Sequence, residues 1–353
     1  GRTAARRAAG RRGSGWAGCW VVGWRTGGEG GADGDVDAVT RADFRNVRPV
    51  GGARLGAARY HTHEDDGGLE AVRATLEAER IEALICIGGD GTLDAASKVA
   101  EYGVRVVGIP KTIDNDVWGT DLSIGFHTAV NISTEALDRV HTTAESHNRV
   151  MVVEVMGRHA GWIALNAGIA GGAEIVLAPE EPFDIEKIVT FLKHRHRAHA
   201  NFSIIVVAEG AVPAAGTSMS YEAPLGPFGS IVAGAIGERV AAEIGARTGF
   251  ETRVTVLGHV QRGGSPTPTD RILGSRFGVA AMDALSRGES SGWTGRGGDE
   301  TAPIPLTAVA GRARVDPAEL HRVAPALARG SALGTGSAGG EGWPAFARAA
   351  AAP

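Results

Sequence analysis

Short apolar runs that stop at glycine or proline, each followed by a helical segment, recur along most of the chain. The run IEALICI, Ile81–Ile87, stops at Gly88, and the next run, Val104–Ile109, stops at Pro110. Strands rich in Val and Ile that alternate with long helices are typical of a mostly parallel sheet covered on both faces. In such sheets ligands bind at the loops that follow the carboxyl ends of the strands.

The same alternation predicts the element order over most of the chain. Strands are expected at 81–87, 104–109, 150–155, 174–177, 203–207 and 253–257. Helices are expected at 93–102, 128–146, 184–193, 231–244 and 271–285.

Composition excludes several classes of protein. The 353 residues, 43% of them hydrophobic, suffice for one large or two ordinary domains. No stretch approaches the roughly 18 unbroken apolar residues of a membrane helix. A net charge of −4 gives no indication of nucleic acid or an anionic membrane as a partner. Two cysteines, Cys19 and Cys86, cannot build a disulfide framework, which indicates a reduced, cytoplasmic protein.

The two ends of the chain depart from the alternating pattern. Residues 1–20 are rich in Arg, Ala and Gly, and they contain neither an acid nor the apolar core of a secretory signal. We expect a disordered or aberrant N-terminus there, and an organelle transit peptide fits only loosely. Residues 329–353 are again rich in Ala and Gly and predict a loose tail.

The sequence GGDGT, Gly88–Thr92, stands between a predicted strand and a predicted helix. Adjacent glycines let backbone N–H groups approach a phosphate, and a helix N-terminus adds partial positive charge. Asp90 could hold Mg²⁺ against such phosphates, and Thr92 could donate a hydrogen bond. The alternative is a plain strand-to-helix turn.

The sequence PKTIDND, Pro110–Asp116, follows the next strand. Its carboxylates, Asp114 and Asp116, suit proton transfer and metal binding. A surface turn stabilised by its own Asp and Asn side chains is the alternative.

Two later loops carry basic residues. MGRHAGW follows strand 150–155, and GHVQRGGSPTPTDR follows strand 253–257. Arginine forks match phosphate geometry, so these loops predict a phosphorylated substrate if they converge. Taken singly, each arginine is equally compatible with a solvated side chain, and the histidine with a structural one.

The order GGDGT, PKTIDND, TAESHNRVMVVEVMGRHAGW, VVAEG, LGHVQRGGSPTPTDR closely resembles the phosphofructokinase family. NAD kinases and lipid kinases share GGDGT but lack the later motifs. The resemblance is strong from about Leu69 to Arg287 and looser back to about Val21. It implies two α/β/α sandwich domains with mostly parallel sheets and an active site in the cleft between them. Residues 21–125 with about 252–300 would form the phosphate-donor domain, and 126–251 the sugar-phosphate domain.

The resemblance implies phosphoryl transfer from ATP to the 1-hydroxyl of fructose 6-phosphate, giving fructose 1,6-bisphosphate in glycolysis. Asp114 resembles the general base, and Thr112 and Arg158 resemble residues that stabilise the phosphoryl group in flight. Asp90 resembles the Mg²⁺ ligand, with Asp116 near the metal. The positions that match the donor-binding residues are Arg59, Gly89, Gly91, Thr92 and Lys111.

The resemblance also implies a sugar-phosphate site. Its clamp matches Arg149, Arg253, His259 and Arg262, and its sugar contacts match Met156, Gly157 and Glu209. In the family the positions of Arg149 and Arg253 reach into a neighbouring subunit's site. A complete site therefore implies a homo-oligomer, either a dimer or a tetramer.

Two positions bear on the phosphoryl donor. Gly91 stands where pyrophosphate-dependent members usually have Asp, whose carboxylate would repel an ATP phosphate. Lys111, in contrast, stands where pyrophosphate-dependent members also have Lys. We weigh the steric argument above the added cation and expect ATP, with pyrophosphate as the alternative.

The resemblance fails at the N-terminus. Family members begin with a strand and a loop of the kind SGGDxPGxN, followed by arginines of an effector site, and neither is present in GRTAARRAAGRRGSGW. A truncated, catalytically inactive member that binds sugar phosphate is therefore a further alternative.

Overall fold

The structure is a computed structural model that describes residues 2–7, 19–40, 42–57, 67–222, 224, 232–289, 291–296, 300–309 and 332–333. The described residues form two compact units. The first contains the residues up to Thr112, then Asp116–His127, then Ser265 to 309. The second contains Ile113–Asn115, Thr128–Gly264 and 332–333.

The expected boundary between the domains differs from this division. The sequence placed 252–264 with the donor domain, whereas these residues lie in the second unit. The reason is backbone pairing, because the strand Thr252–Val256 bonds in parallel to Val150–Val155.

Every strand and helix that the alternation predicts is present in the predicted order, and the structure adds elements that were not predicted, among them the helix Trp162–Ala170. The strands are β1 (Arg2–Arg7), β2 (Cys19–Trp24), β3 (Val36–Val39), β4 (Ile81–Gly88), β5 (Arg105–Thr112), β6 (Ile124–Gly125), β7 (Val150–Val155), β8 (Ile175–Leu177), β9 (Ser203–Ala208), β10 (Thr252–Val256), β11 (Ser291–Arg296), β12 (Glu300–Ile304) and β13 (Ala332–Leu333). The helices are α1 (Gly28–Asp33), α2 (Gly68–Ala78), α3 (Asp90–Glu101), α4 (Phe126–His147), α5 (Trp162–Ala170), α6 (Ile185–Arg197), α7 (Ala235–Thr248), α8 (Pro268–Ser286) and α9 (Leu306–Val309).

The sheet of the first unit has the order β12-β11-β5-β4-β1-β2-β3, with β6 beside β5. Strand β5 is parallel to β4, β6 and β11, and the remaining pairs are antiparallel. Side chains of β4 alternate between two cores, as a strand's period of two requires. Leu84 packs with Leu93 of α3 on one face, and Ala83 packs with Phe277 of α8 on the other.

The N-terminal segment contains a strand where the sequence predicted disorder. Strand β1 lies between β2 and β4 and is antiparallel to both. Backbone pairing explains this position, because ladder hydrogen bonds form between N–H and C=O groups whatever the side chains. Of the predicted tail at 329–353, the structure describes only Ala332–Leu333, which pairs with β8.

The sheet of the second unit is entirely parallel, in the order β10-β7-β9-β8-β13. Helices α6 and α7 supply Ile188 and Val240 to a core with Val152 and Ile205. Helix α5 packs on β8 and β9, where Gly168 lies against Val176. The prediction of α/β units with mostly parallel sheets is confirmed. No helix in the described part of the chain is long and apolar enough to span a membrane.

Candidate functional site

The glycine loop of the first unit lies between β4, which ends at Gly88, and α3, which begins at Asp90. A Cβ atom on Gly88 would lie 2.4 Å from the Oγ1 atom of Thr92, so only glycine lets this threonine fold back over the loop. Asp90 is half-buried at the first residue of α3, where the helix dipole stabilises negative charge. A Cβ atom on Gly91 would meet nothing within 4 Å. The loop is therefore packed at Gly88 and open at Gly91.

The second motif of the first unit lies beside this loop. Because β4 and β5 are parallel neighbours with Gly88 opposite Pro110, their loops leave the same edge of the sheet. A Cβ atom on Gly89 would lie 3.4 Å from the Cβ atom of Thr112. The hydroxyl of Ser123 donates a hydrogen bond to the carbonyl oxygen of Thr112 (2.7 Å), which holds this strand end. Lys111 is exposed.

Both carboxylates of the second motif are buried. Asp114 is 5% exposed and Asp116 is 7% exposed. Between them Asn115 adopts the left-handed conformation (φ 55°) that Asn tolerates better than most residues. Burying two carboxylates this close together is costly and is typical of functional sites. The structure therefore excludes the alternative of an exposed turn.

The metal expected at this motif needs few protein ligands. Within the described ranges no group of three or more His, Cys, Asp or Glu side chains is arranged to hold a metal ion. Mg²⁺ is usually bound by one or two carboxylates together with substrate phosphates. The carboxylates of Asp90 and Asp116, which follow neighbouring parallel strands, are a donor set of this kind.

In the second unit, Gln261 links two of the predicted loops. The N–H of Met156 donates to Oε1 of Gln261 (2.8 Å), and Nε2 of Gln261 donates to Oγ of Ser133 on α4 (2.8 Å). Gln261 is 1% exposed and lies in the 3-10 turn Gly258–Arg262 that follows β10. The MGRHAGW loop and the GHVQR turn are thus held together by one buried amide.

Glu209 holds the other side of the MGRHAGW loop. Its Oε1 atom accepts the N–H groups of Gly157 (3.2 Å) and Arg158 (2.9 Å). Gly157 has a φ of 148°, and a Cβ atom there would lie 2.3 Å from the carbonyl oxygen of Ala160, so glycine is required. Arg158 also has a positive φ, 52°. The loop backbone is therefore fixed by side chains at both ends of a short, strained path.

Glu180 is a further, half-buried acceptor beside this loop. Both of its carboxylate oxygens accept the N–H of Gly161 (2.8 and 3.0 Å). Burial raises the pKa of Glu180, and the hydrogen bond from Gly161 opposes that shift. Through this contact Glu180 holds the backbone of the loop at Gly161.

Arg149 and Arg253 lie at the other end of the same sheet. Arg149 precedes β7 and Arg253 is near the start of β10, whereas Arg158 follows the end of β7. A six-residue strand is roughly 20 Å long, so the two ends are that far apart. Glu251 pairs with Arg149 (2.9 Å) and with Arg253 (2.5 Å). The hydrogen bond and charge of Arg149, with the charge of Arg253, lower the pKa of Glu251.

The structure thus brings together some of the predicted residues within each unit and separates others. In the first unit the donor loop lies beside Thr112 at the end of β5, and Asp116 belongs to this unit, whereas Asp114 belongs to the second. The second unit joins the loops of the sugar residues. Residues joined in this way are Gly89, Gly91, Thr92, Asp90, Lys111 and Thr112 in the first unit, and Met156, Gly157, Arg158, Glu209, His259 and Arg262 in the second. Arg149 and Arg253 stay apart from the latter group, and Arg59 lies outside the described residues.

Sequence reasoning made no prediction for three side chains that accept backbone N–H groups here, Gln261, Glu180 and Glu154. One signal was available, because Glu154 is the single charged residue of the apolar strand VMVVEV. A charge in a fully buried strand requires a polar partner. Which partner it has cannot be read from the strand alone.

Comparisons with known proteins bear on the family of the chain. The phosphofructokinase family model matches residues 1–285. A pyrophosphate--fructose 6-phosphate 1-phosphotransferase from Amycolatopsis methanolica is 46% identical over 283 residues, which are 80% of this chain and 82% of that protein. An ATP-dependent 6-phosphofructokinase from Mycobacterium tuberculosis is 50% identical over 266 residues, 75% of this chain and 78% of that protein.

Solved structures give the same result for the fold. A phosphofructokinase from Saccharomyces cerevisiae aligns with a TM-score of 0.71 and 29% identity, over 88% of this chain and 42% of that chain. A pyrophosphate-dependent phosphofructokinase from Nitrosospira multiformis aligns with a TM-score of 0.72 and 23% identity, over 84% of this chain and 77% of that chain. On the match of the family model and of these relatives, the chain belongs to the phosphofructokinase family.

Proposed function

We propose that the protein transfers the terminal phosphoryl group of ATP to the 1-hydroxyl of fructose 6-phosphate, giving fructose 1,6-bisphosphate and ADP. The observation that carries this proposal is the contact of Gly89 with Thr112, since the open glycine loop then lies beside the strand end that leads, two residues on, to the buried Asp114. Phosphoryl transfer depends on alignment and charge neutralisation, and these two loops offer both. Relatives that carry the names of this activity support it.

Asp114 is proposed as the general base. It takes the proton of the 1-hydroxyl as that oxygen bonds to phosphorus and as the bond between phosphorus and the bridging oxygen of the donor breaks. Its burial excludes water from the carboxylate, which strengthens its interaction with the hydroxyl proton. Thr112 and Arg158 are proposed to stabilise the charge on the transferring group, by hydroxyl and by guanidinium.

Asp90 and Asp116 would hold Mg²⁺ together with the donor's phosphates. The ion would neutralise phosphate charge, which is its usual part in phosphoryl transfer. Thr92 and the backbone around Gly89 are proposed to bind the phosphates directly, and Lys111, which is exposed, to add positive charge. Arg59 is proposed as a further contact to ATP.

The sugar phosphate is proposed to bind the loops of the second unit. His259 and Arg262 are exposed and belong to the turn that Gln261 fixes, so their side chains are available to a phosphate. Glu209, Met156 and Gly157 are proposed as contacts to the sugar. Glu209 is 4% exposed and already accepts two N–H groups through Oε1, which leaves Oε2 for a sugar hydroxyl.

Arg149 and Arg253 are proposed to complete the site of a neighbouring subunit. They lie at the amino end of the sheet, roughly 20 Å from the loop of Arg158, so they serve a different site from the one their own chain's loops form. The active protein would then be a homo-oligomer, and we place it in the cytoplasm, with no nucleic acid or membrane as partner.

The donor is proposed to be ATP because Gly91 leaves open space beside the phosphate loop. Pyrophosphate is the second candidate, and two observations favour it. Lys111 adds a cation at the strand end, and relatives at 46–47% identity carry the pyrophosphate-dependent name. The two donors differ beyond the two phosphates that they share, because only ATP has a further phosphate and a nucleoside for the protein to accommodate.

We expect Asp114→Asn to lower kcat at least about a hundredfold, because an amide cannot accept the hydroxyl proton. Fructose 1,6-bisphosphate formation is measured with ATP and with pyrophosphate. Asp121→Asn, an exposed acid of the following loop, is the control and should keep its activity. Turnover by Asp114→Asn at the wild-type rate would contradict the assignment. Binding of fructose 6-phosphate by the wild type without turnover would instead indicate an inactive sugar-phosphate binder.

We expect Gly91→Asp to reduce kcat/KM for ATP at least about tenfold more than kcat/KM for pyrophosphate, since the new carboxylate repels the additional phosphate of ATP. The open surroundings and ordinary backbone of Gly91 predict that the variant folds. Gly91→Ala adds volume without charge and should use both donors nearly as the wild type does. Equal losses with the two donors in Gly91→Asp would count against the steric argument.

We expect Asp114→Asn and Arg253→Ala to complement each other when the two chains are co-expressed. Each variant alone lacks one part of every site, but a mixed oligomer regains about a quarter of its sites if each site combines Asp114 of one chain with Arg253 of another. Activity of the purified mixture is compared with that of each variant. A mixture no more active than its parts would show that the site lies within one chain.

A further inference from the structure

Glu154 is a buried carboxylate that no step of the proposed reaction uses. It lies near the end of β7, is 1% exposed, and accepts the N–H of Gly234 through Oε1 and the N–H of Gly237 through Oε2 (2.7 Å). Both N–H groups belong to the start of α7, where the first amides lack partners within the helix. The residue before the helix, Gly234, has no side chain that could accept them. Glu154 therefore caps α7 from a neighbouring strand.

The approach of α7 to this carboxylate is close. A Cβ atom on Gly237 would lie 2.9 Å from Oε2 of Glu154 and 3.2 Å from its Cβ atom. Glycine at this position lets the helix reach the strand. The contact thus depends on a matched pair, a carboxylate on β7 and a bare backbone on α7.

The backbone at Glu154 is where the loops of the second unit start. The carbonyl oxygen of Glu154 accepts the N–H of Leu257 (3.0 Å), which is the residue before the turn with His259 and Arg262. The next carbonyl oxygen, of Val155, accepts the N–H of Glu209 (2.9 Å). Met156 follows directly in the chain. The side chain of Glu154 is thus bound to α7. The peptide groups beside it hold or lead into three loops, which begin at Met156, Glu209 and Leu257.

We propose that Glu154 is a positioning residue for the sugar phosphate: as a carboxylate held by α7 it fixes the strand end from which the three loops start, and affinity for the sugar phosphate falls when it is protonated. The inference rests on the proposed function of these loops. A carboxylate accepts hydrogen bonds at both oxygens, whereas a protonated group directs an O–H towards one of the two N–H donors. When one of these two hydrogen bonds is lost, the start of α7 is held less firmly to Glu154, and the end of β7 is held less firmly as well.

The charges around Glu154 decide the pH at which this happens. Burial raises the pKa of Glu154 most, the N–H groups of Gly234 and Gly237 lower it, and the carboxylates of Glu209, directly after β9, and Glu238 on α7 raise it further. Among the described residues Tyr221 is a further titratable neighbour, and its own pKa is raised by burial and by Glu154. The net result is a carboxyl group that takes up a proton above its ordinary pH range.

Stability and affinity then depend on pH in opposite directions. Because folding raises the pKa, the folded state binds the proton more tightly than the unfolded state does. The contribution of Glu154 to the free energy of unfolding therefore decreases as the pH rises from the ordinary carboxyl pKa to the raised one. Affinity for the sugar phosphate increases over the same window. A residue that acted only through stability would change both in the same direction.

The test is Glu154→Gln, assayed for KM and kcat across this pH window. Above the window KM for fructose 6-phosphate should be about tenfold higher in the variant, with kcat changed less than about twofold. The ratio of the two KM values should approach one as the pH falls, since the wild type is then neutral as well. Titration of the substrate phosphate occurs with both proteins and cancels in the ratio. In thermal melts the stability of the wild type relative to the variant should decrease as the pH rises.

Glu174→Gln is the matched control. Glu174 is also a largely buried carboxylate that accepts a backbone N–H, that of Ile204 (2.6 Å), and it pairs with Arg195 (2.7 Å). It lies at the amino end of the sheet, before β8, away from the loops. The ratio of KM for fructose 6-phosphate in Glu174→Gln to that in the wild type should be close to one and independent of pH, even if the variant is less stable.

A KM ratio that stays constant with pH, or equals one throughout, overturns the inference. If Glu154→Gln does not fold, Glu154→Asp replaces it, since the shorter carboxylate keeps the charge but cannot reach both N–H groups. A wild-type KM in Glu154→Asp would then overturn the inference. If the wild type binds fructose 6-phosphate without turnover, the proposed function fails while calorimetric Kd values replace KM and test Glu154. If the wild type neither binds nor reacts, both fail.

Discussion

The second unit depends on hydrogen bonds that loop N–H groups donate to largely buried side chains. Backbone groups beyond the end of a strand lose their ladder partners, and leaving them unsatisfied in a buried place is costly. Gln261, Glu209 and Glu180 each accept such groups from the loop of Met156–Gly161. Three of these four acceptor atoms belong to carboxylates, whose negative charge strengthens a hydrogen bond. The loop is therefore built before a ligand arrives.

The glycine loop of the first unit is held in place in a different way. The loop at Gly88–Thr92 carries few side chains, an arrangement that would leave backbone N–H groups available to the phosphates of the proposed donor. Gly88 makes room for Thr92, Gly89 makes room for Thr112, and Gly91 faces open space. If it binds phosphates as proposed, a loop of this kind would accept either donor. Relatives of this chain carry the names of both an ATP-dependent and a pyrophosphate-dependent enzyme.

The sequence predicted most elements of the second unit closely because periodicity and local chemistry determine them. Helix α5 was not predicted, because its residues Trp162–Ala170 are apolar on nearly every side and show no helical period. Strand 150–155 was predicted at its observed bounds, since Val and Met fill it and Arg149 precedes it. The cap of α7 was not predictable, because Glu154 and Gly237 are 83 residues apart and nothing local joins them. The domain boundary expected near residue 252 differs from the observed division for the same reason. The pairing of β10 with β7 joins segments far apart in the chain, and local sequence does not reveal it. The strand β1 contradicts the expected disorder because backbone pairing, unlike core packing, requires no apolar side chains.

Hydrogen exchange of the substrate-free protein tests most directly whether the loops are built in advance. The amides to follow are those of Met156, Gly157 and Arg158, which lie beyond the last strand residue but donate to Gln261 and Glu209. If buried acceptors hold them, their exchange is as slow as that of the neighbouring amides in β7. Exchange at the rate of an unstructured loop, with protection appearing only when fructose 6-phosphate is added, would contradict the account.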